Sequence, residues 1–295
     1  MLAFIAPGQG AQTPGMLTPW IAKPEALELL KAWSAEIDLD LVRLGTTADA
    51  DEIKDTANAQ PLIVAAGLLG ARALSDYRFA VVAGHSVGEI TAAALAGVIN
   101  EIDAMKLVRA RGIEMAKAAA LKPAGMAAVL GGDRTVVLKA ISDLGLVAAN
   151  DNGAGQIVAA GDLDALAQLA PDGARVRALA VAGAFHTSYM QSAVEPLRAL
   201  AAQLNVAVAK CGVISNKDGA VITDGREVLD RIVAQISNPV RWDLCMSTLA
   251  EHSSGAIEVP PAGTLVGLLK RAVPIIETFA LKSIEDATLA KEFSV

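Results

Sequence analysis

The sequence predicts an α/β fold built on a parallel sheet, with a smaller subdomain inserted into it. Three observations carry this. Short apolar runs alternate with helical segments over the first 123 residues. The strand-like runs there, "LAFIA" (2–6) and "FAVVAG" (79–84), are apolar throughout rather than alternating, as in strands covered on both faces. From about 124 to 189 the texture changes to short strand-like runs around two helices, and the larger pattern resumes from 190.

In chain order, "LAFIA" ends at the Pro7-Gly8-Gln9-Gly10 turn, and helical patterns follow around 24–36 and 59–75. "FAVVAG" runs straight into "SVGEITAAALAG", a helix for which Gly97 is the C-terminal stop. The next helix, about 101–121, is closed by Pro123. "GMAAVLGG", "GLVAAN", "GQIVAAG" and "ARVRALAV" then surround the helices "RTVVLKAISDLG" and "LDALAQLA". That β-α-β-β-α-β order is ferredoxin-like. A helix from 191, a strand at "CGVIS", helices near 226–236 and 241–252, "AIEVPPAG" and a final helix complete the chain. The expected division is a large α/β domain, 1–123 and 190–295, and a small subdomain, 124–189.

Composition narrows the function classes. Hydrophobic residues make up 53% and aromatics 3%, so the core is built from Ala, Val, Leu and Ile. A net charge of −7 argues against a nucleic-acid partner. Two cysteines, Cys211 and Cys245, have no metal-like spacing and form no framework, which fits a reducing compartment. The N-terminus lacks a basic n-region, and no apolar run reaches the ~18 residues of a membrane span. The nearest, "PLIVAAGLLGARAL", is interrupted by Arg72. The expectation is a cytoplasmic protein with no membrane association and no metal.

The chemistry centres on Gly84-His85-Ser86-Val87-Gly88, a G-x-S-x-G between a strand and a helix, as in α/β-hydrolase-like folds. In this context Ser86 is a candidate nucleophile. The Val87 N–H and the helix's positive end would face the oxyanion. The same stretch also reads as a capping box, Ser86-x-x-Glu89, and Glu89 is taken as the cap. Three histidines are available as a base. His85 is expected to point away from the acyl site, and His252 to sit on an exposed helix end. His186, in the apolar loop "AVAGAFHTSYM", is favoured. Parallel strands end on one edge, so the Gly8-Gln9-Gly10 turn lies beside the elbow and can supply a second oxyanion N–H.

Arg111 shares a helical face with Ala104, Leu107, Val108, Met115 and Ala118. A guanidinium in an apolar stripe pairs with a buried protein carboxylate or lines a pocket for a substrate carboxylate. Arg109, nearly opposite, reads as solvated. A hydrolase reading would instead place a late histidine, His252, after an acidic residue such as Glu227, Asp230 or Asp243.

With these residues in hand, the chain resembles the malonyl-CoA:acyl-carrier-protein transacylase family, and more widely the acyltransferase domains of fatty-acid and polyketide synthases. The resemblance runs in order through "FIAPGQGAQTPGM", Gln60-Pro61, "GHSVGEITAAALAGV", "RARGIEM", "AANDNGAGQIVAAG", "GAFHTSYM", "QISNPVRW" and "EVPPAGTLVGLLKR". It implies that Ser86 carries a malonyl ester and that His186 is base, then acid. It implies that Gln9 and Val87 form the oxyanion hole and Arg111 holds the malonyl carboxylate. The backbone carbonyl of Gln235, with Asn238 close by, would orient His186. Gln60 and Phe185 would line the acyl pocket, Phe185 in the place where related domains taking methylmalonyl tend to carry Ser. No permanently bound cofactor is implied; a coenzyme A thioester is the substrate, and an acidic, phosphopantetheinylated acyl carrier protein is the partner. Lys117, Lys122, Lys270 and Arg271 are candidates for its docking site. "EVPPAGTL" departs from the family's Gly-Pro-Gly turn, so no backbone contact is carried over there. The remaining alternatives are a hydrolase or thioesterase, and a carrier-docking module without activity.

Overall fold

The structure is a computed structural model describing residues 1–74, 79–290 and 292–293. Its first sheet contains β1 (Leu2–Ala6), β2 (Phe79–Gly84), β7 (Gly212–Ile214), β8 (Val221–Ile222), β10 (Gly255–Glu258) and β11 (Glu277–Ala280), in the order β11-β10-β1-β2-β7-β8. The second contains β3 (Gly125–Gly131), β4 (Val147–Asp151), β5 (Gln156–Gly161), β6 (Ala174–Ala178) and β9 (Val240–Arg241), in the order β6-β3-β5-β4-β9.

All pairs of the first sheet are parallel except β7–β8. Its strands are apolar throughout because both faces are covered. Alternate residues of β1 join different layers: Phe4 and Ala6 pack with Val82, Leu62 and Val108, while Ala3 and Ile5 pack with Val81, Trp242 and Leu265. In the second sheet β3, β4, β5 and β6 pair antiparallel, and β9 adds parallel to β4. Helices Arg134–Asp143 and Leu163–Gln168 cover one face, through Val137, Ile141 and Leu166 against Ala127, Val129 and Ala159.

The long helical segments lie where the sequence pattern places them, at Pro24–Ile37, Thr56–Arg72, Glu101–Leu121 and Gln191–Ala201. Position 75, the expected last residue of the second, lies outside the described residues. Sequence reasoning missed the helix Leu41–Thr46, the two-residue strands β8 and β9, and the closing pair β11 and Ile284–Ala290. Two residues give no period to detect.

One crossing matters for the site. Pro61 sits inside the helix Thr56–Arg72 and has no N–H for the carbonyl four residues back, that of Ala57. Arg109 fills the gap, donating from Nη1 to Ala57 O at 2.8 Å. The expectation that Arg109 is solvated therefore fails: it is half-buried because a proline freed an acceptor beneath it. Gly112 lets the helix Glu101–Leu121 pass close by, since a Cβ there would stand 2.9 Å from Thr56 O. That approach brings Arg111 against Gln60.

Candidate active site

Three parallel strands deliver the core of the site. The loop after β1 carries Gln9, the turn after β2 carries Ser86, and the segment after β7 carries Asn216. The β2 turn is tight. A Cβ on Gly84 would fall 1.9 Å from the Gly88 carbonyl carbon, and one on Gly88 would fall 2.2 Å from Ala6 O. Both positions need glycine for close approach rather than for φ. Ser86 takes the strain instead, at φ +53°. The main chain around it is pinned. His85 N–H donates to Ala6 O at 2.9 Å, Ser86 N–H donates to Asn216 Oδ1 at 2.8 Å, and Asn216 Nδ2 donates to Gly84 O at 2.7 Å.

The capping box does not form. The helix Gly88–Leu95 follows Val87 without a side-chain cap. Ser86 is left-handed rather than extended, so its Oγ turns away from the helix and lies 2.7 Å from His186 Nε2. Glu89 is buried, accepting from Asn216 N–H and from Gln235 Nε2 at 2.5 Å each. Its role as a cap is thus overturned.

His186 is also left-handed, at φ +62°. One turn holds it at two points: its N–H donates to Ile236 O at 3.1 Å, and its ring Nδ1 lies 2.8 Å from Gln235 O. A carbonyl can only accept, so Nδ1 carries the proton and Nε2 is free to take one from Ser86. Burial, and then the nearby Arg111 charge, push the His186 pKa down to about 3. The imidazole is neutral at ordinary pH, as a base must be.

Arg111 is buried, with 1% of its surface exposed. Nη1 donates to Gln60 Oε1 at 2.7 Å; Nη2 donates to Gln235 Oε1 at 2.9 Å and to Ser86 Oγ at 3.3 Å. Its Nε has no partner among the described residues. Burial lowers its pKa to about 10, and the Glu89 charge opposes that shift. No protein carboxylate reaches it among the ion pairs of the described residues; its partners are neutral amides and the nucleophile. A guanidinium so placed can accept an anion beside Ser86.

Ser86 and His186 open on a cavity of about 280 Å³. Gln9, Gln60 and Phe185 line it from the side of the first sheet, and Met126, Asn150 and Val158 from the second. Neither the Gln9 nor the Val87 amide donates to another backbone group among the described residues, which leaves both available at the elbow. His85 also lines the cavity, its Nε2 2.9 Å from Asn152 Oδ1. It was expected to point away. Gly8 explains the difference, because it lets the His85 ring fold back toward the β1 loop: a Cβ on Gly8 would sit 2.9 Å from Nδ1. His252 ends the helix Trp242–His252 on the surface. Among the described residues no group of His, Cys, Asp and Glu could hold a metal ion.

Residues 3–291 match the acyl transferase domain. The chain belongs to that family, with the malonyl-CoA:acyl-carrier-protein transacylases. It is 53% identical to a malonyl CoA-acyl carrier protein transacylase of Mycobacterium tuberculosis, covering 97% of this chain and 98% of the relative. A Haemophilus influenzae protein of the same name is 32% identical, with 99% of each chain covered. Among solved structures, MCAT from Mycobacterium tuberculosis superposes with a TM-score of 0.94 at 53% identity, covering 97% of this chain and 98% of that one. An acyl-carrier-protein S-malonyltransferase from Burkholderia pseudomallei superposes at 0.92 and 32%, with 99% of each covered.

Two site residues escaped the sequence reading. Asn216 clamps both sides of the elbow, and Glu89 ties Asn216 to Gln235. For Asn216 a signal existed: it follows a parallel strand at the edge where Ser86 lies. Glu89 gave none, because its partners are 127 and 146 residues away.

Proposed function

We propose that this acyltransferase moves a malonyl group from malonyl-CoA to the phosphopantetheine thiol of acyl carrier protein, through a malonyl ester on Ser86. One observation carries the reading. Ser86 Oγ touches its base, His186 Nε2, at 2.7 Å and an unpaired buried cation, Arg111 Nη2, at 3.3 Å. A nucleophile beside such a cation suits an acyl group that ends in a carboxylate.

In the first half-reaction His186 Nε2 takes the Ser86 proton as Oγ attacks the thioester carbon. The Gln9 and Val87 amides face the oxyanion. The carbon–sulfur bond breaks, and His186 returns the proton to the departing thiol. In the second, the carrier thiol gives its proton to His186 and attacks the ester, and Ser86 recovers the proton. Each oxyanion donor is worth about 2.7–4 kcal/mol of barrier. Arg111 holds the distal carboxylate throughout, which fixes the acyl chain against attack by water.

The cavity suits an acyl group and the thiol end of a pantetheine arm. Arg271 lies at its rim and Lys270 is exposed beside it, while Lys117 is paired with Glu114 and Lys122 with the Tyr189 hydroxyl. We therefore place the acidic carrier protein near Arg271. A solved complex of 27% identity, whose title describes a type II PKS acyl-carrier protein with its malonyl-transacylase, supports a carrier partner. The large unit, 1–123 and 190–295, reads as α/β-hydrolase-like. The small one, 124–189, reads as ferredoxin-like on its strand order β6-β3-β5-β4, with β9 bridging the two. Among the described residues no helix is long and apolar enough to cross a membrane.

Intact-mass measurement after mixing with malonyl-CoA tests the reading. It requires a malonyl adduct on the Ser86 peptide that carrier protein discharges. An adduct elsewhere, none at all, or equal loading from acetyl-CoA would sink it.

A further inference from the structure

We propose that Glu89 is a positioning residue that sets the Gln235 amide, and through it holds the Arg111 guanidinium ready for a carboxylate. The inference rests on the reading of Arg111 given above. Glu89 does not touch substrate; only 2% of it is exposed, and it lies behind the elbow.

The argument follows from which groups can donate and which can accept. Both Glu89 oxygens accept: one from the Asn216 main-chain N–H, the other from Gln235 Nε2. The first donor cannot turn, because it belongs to the backbone. The second belongs to an amide that presents nitrogen or oxygen according to its neighbours. Three acceptors hold Gln235 Nε2 on this side: the Glu89 oxygen and, at 3.1 Å each, Ser86 O and Asn216 Oδ1. Its Oε1 is then left facing Arg111 Nη2 at 2.9 Å. The chain of contacts runs from Glu89 through one rigid amide to the guanidinium. A separate arm runs from Glu89 through Asn216 to the main chain on both sides of Ser86.

The two arms separate by mutation. Glu89→Gln keeps one oxygen, which stays on the immovable Asn216 N–H. Its new NH₂ then confronts Gln235 Nε2, donor against donor. Turning the Gln235 amide over would set Oε1 against Ser86 O and Asn216 Oδ1, so the amide swings off residue 89 instead and draws Oε1 away from Arg111 Nη2, which loses one of its two amide acceptors. The Asn216 bonds to Gly84 and Ser86 remain. Asn216→Ser does the reverse. It removes the side-chain bonds to Gly84, Ser86 and Gln235 but keeps the main-chain N–H that donates to Glu89, and Gln235 Nε2 keeps Glu89 and Ser86 O as acceptors, so the arm to Arg111 survives.

The experiment is single-turnover acylation of the full chain with malonyl-CoA and acetyl-CoA, reading kcat and KM for each. Wild type sets the frame: if it does not prefer malonyl, the Arg111 reading itself fails. Given that preference, Glu89→Gln should lower the malonyl-to-acetyl ratio of kcat/KM roughly tenfold or more, the worth of a hydrogen bond to a charged group. Much of the loss should lie in the malonyl KM, with acetyl loading little changed. Asn216→Ser should slow both substrates in parallel and leave the ratio alone. An unchanged ratio in Glu89→Gln, or a parallel fall, overturns the inference. Should Glu89→Gln not fold, Asn216→Ser still decides: a changed ratio there would place control of Arg111 in the elbow rather than in Glu89.

Discussion

Replacing Arg111 with methionine removes the guanidinium but keeps an unbranched side chain that fills part of its space. Two effects oppose each other in the empty enzyme. Burial lowers the Arg111 pKa from 12.5 to about 10. At about 1.4 kcal/mol per pH unit, its charge is disfavoured there by on the order of 3 kcal/mol, which the substitution relieves. Against that, Gln60 Oε1 and Gln235 Oε1 each lose a donor, at about 1–3 kcal/mol apiece before the amides adjust. The terms partly cancel, so the variant should unfold within about 3 kcal/mol of wild type. Function should not be spared. Removing one member of a buried charge pair costs about 3–5 kcal/mol. Malonyl loading of Ser86 should therefore fall by roughly 10²–10⁴ in kcat/KM, while acetyl loading changes by less than about tenfold. Denaturant melts and quenched-flow mass spectrometry measure the two quantities. Malonyl loading within tenfold of wild type, or an acetyl loss as large as the malonyl loss, would refute the reasoning.

Other outcomes follow from the same geometry. The His186 pKa is depressed to about 3, so the base stays unprotonated as pH falls through 6.5 and is lost only as pH approaches that lower value. The kcat/KM for Ser86 acylation should stay flat from pH 7 to about 5. A half-maximal point near pH 6.5 would show an ordinary histidine. Phe185, buried at the cavity wall, should exclude branched acyl groups; Phe185→Ser should raise the methylmalonyl-to-malonyl ratio by roughly ten- to a hundredfold in competition assays. Glu258 is fully buried and accepts from the N–H groups of Gly263, Leu265 and Val266, at the start of a helix that lines the cavity. Glu258→Ala should cost about 3 kcal/mol or more in urea unfolding, because the buried N–H groups of Leu265 and Val266 and the part-buried one of Gly263 lose their acceptor.

What the sequence revealed and what it withheld differ in kind. Ser86 was legible because a strand, two glycines and a helix follow one another without a gap. Arg111 stood out because a charge broke an apolar stripe. The Gln235 carbonyl was reached only through the family resemblance, since any residue can offer a carbonyl. Glu89 was misread because its local neighbours satisfied a simpler rule, the capping box, while its true partners lie on distant segments. The orientation of His85 was misjudged for a related reason: it depends on the absence of a side chain on Gly8, which is contributed by the loop after β1. Sequence pattern reports what a residue can do within one turn or strand. It is silent on polar groups whose partners arrive only when the sheet assembles.

The two sheets meeting at one cavity have a consequence for how this enzyme can change. The elbow and the guanidinium come from outside the small unit 124–189, and the base, His186, from its last few residues, whereas Met126, Asn150, Val158, Leu179 and Val181, in the segment 126–181 of that unit, form the facing wall. None of these five takes part in the hydrogen bonds to Ser86, His186 or Arg111 described above. New acyl preferences can therefore be selected on that wall by drift or by transplanting the segment, while the bond-making apparatus stays intact. Phe185 is the exception. It adjoins His186 in the chain, so altering the cavity at that position puts the base at risk as well.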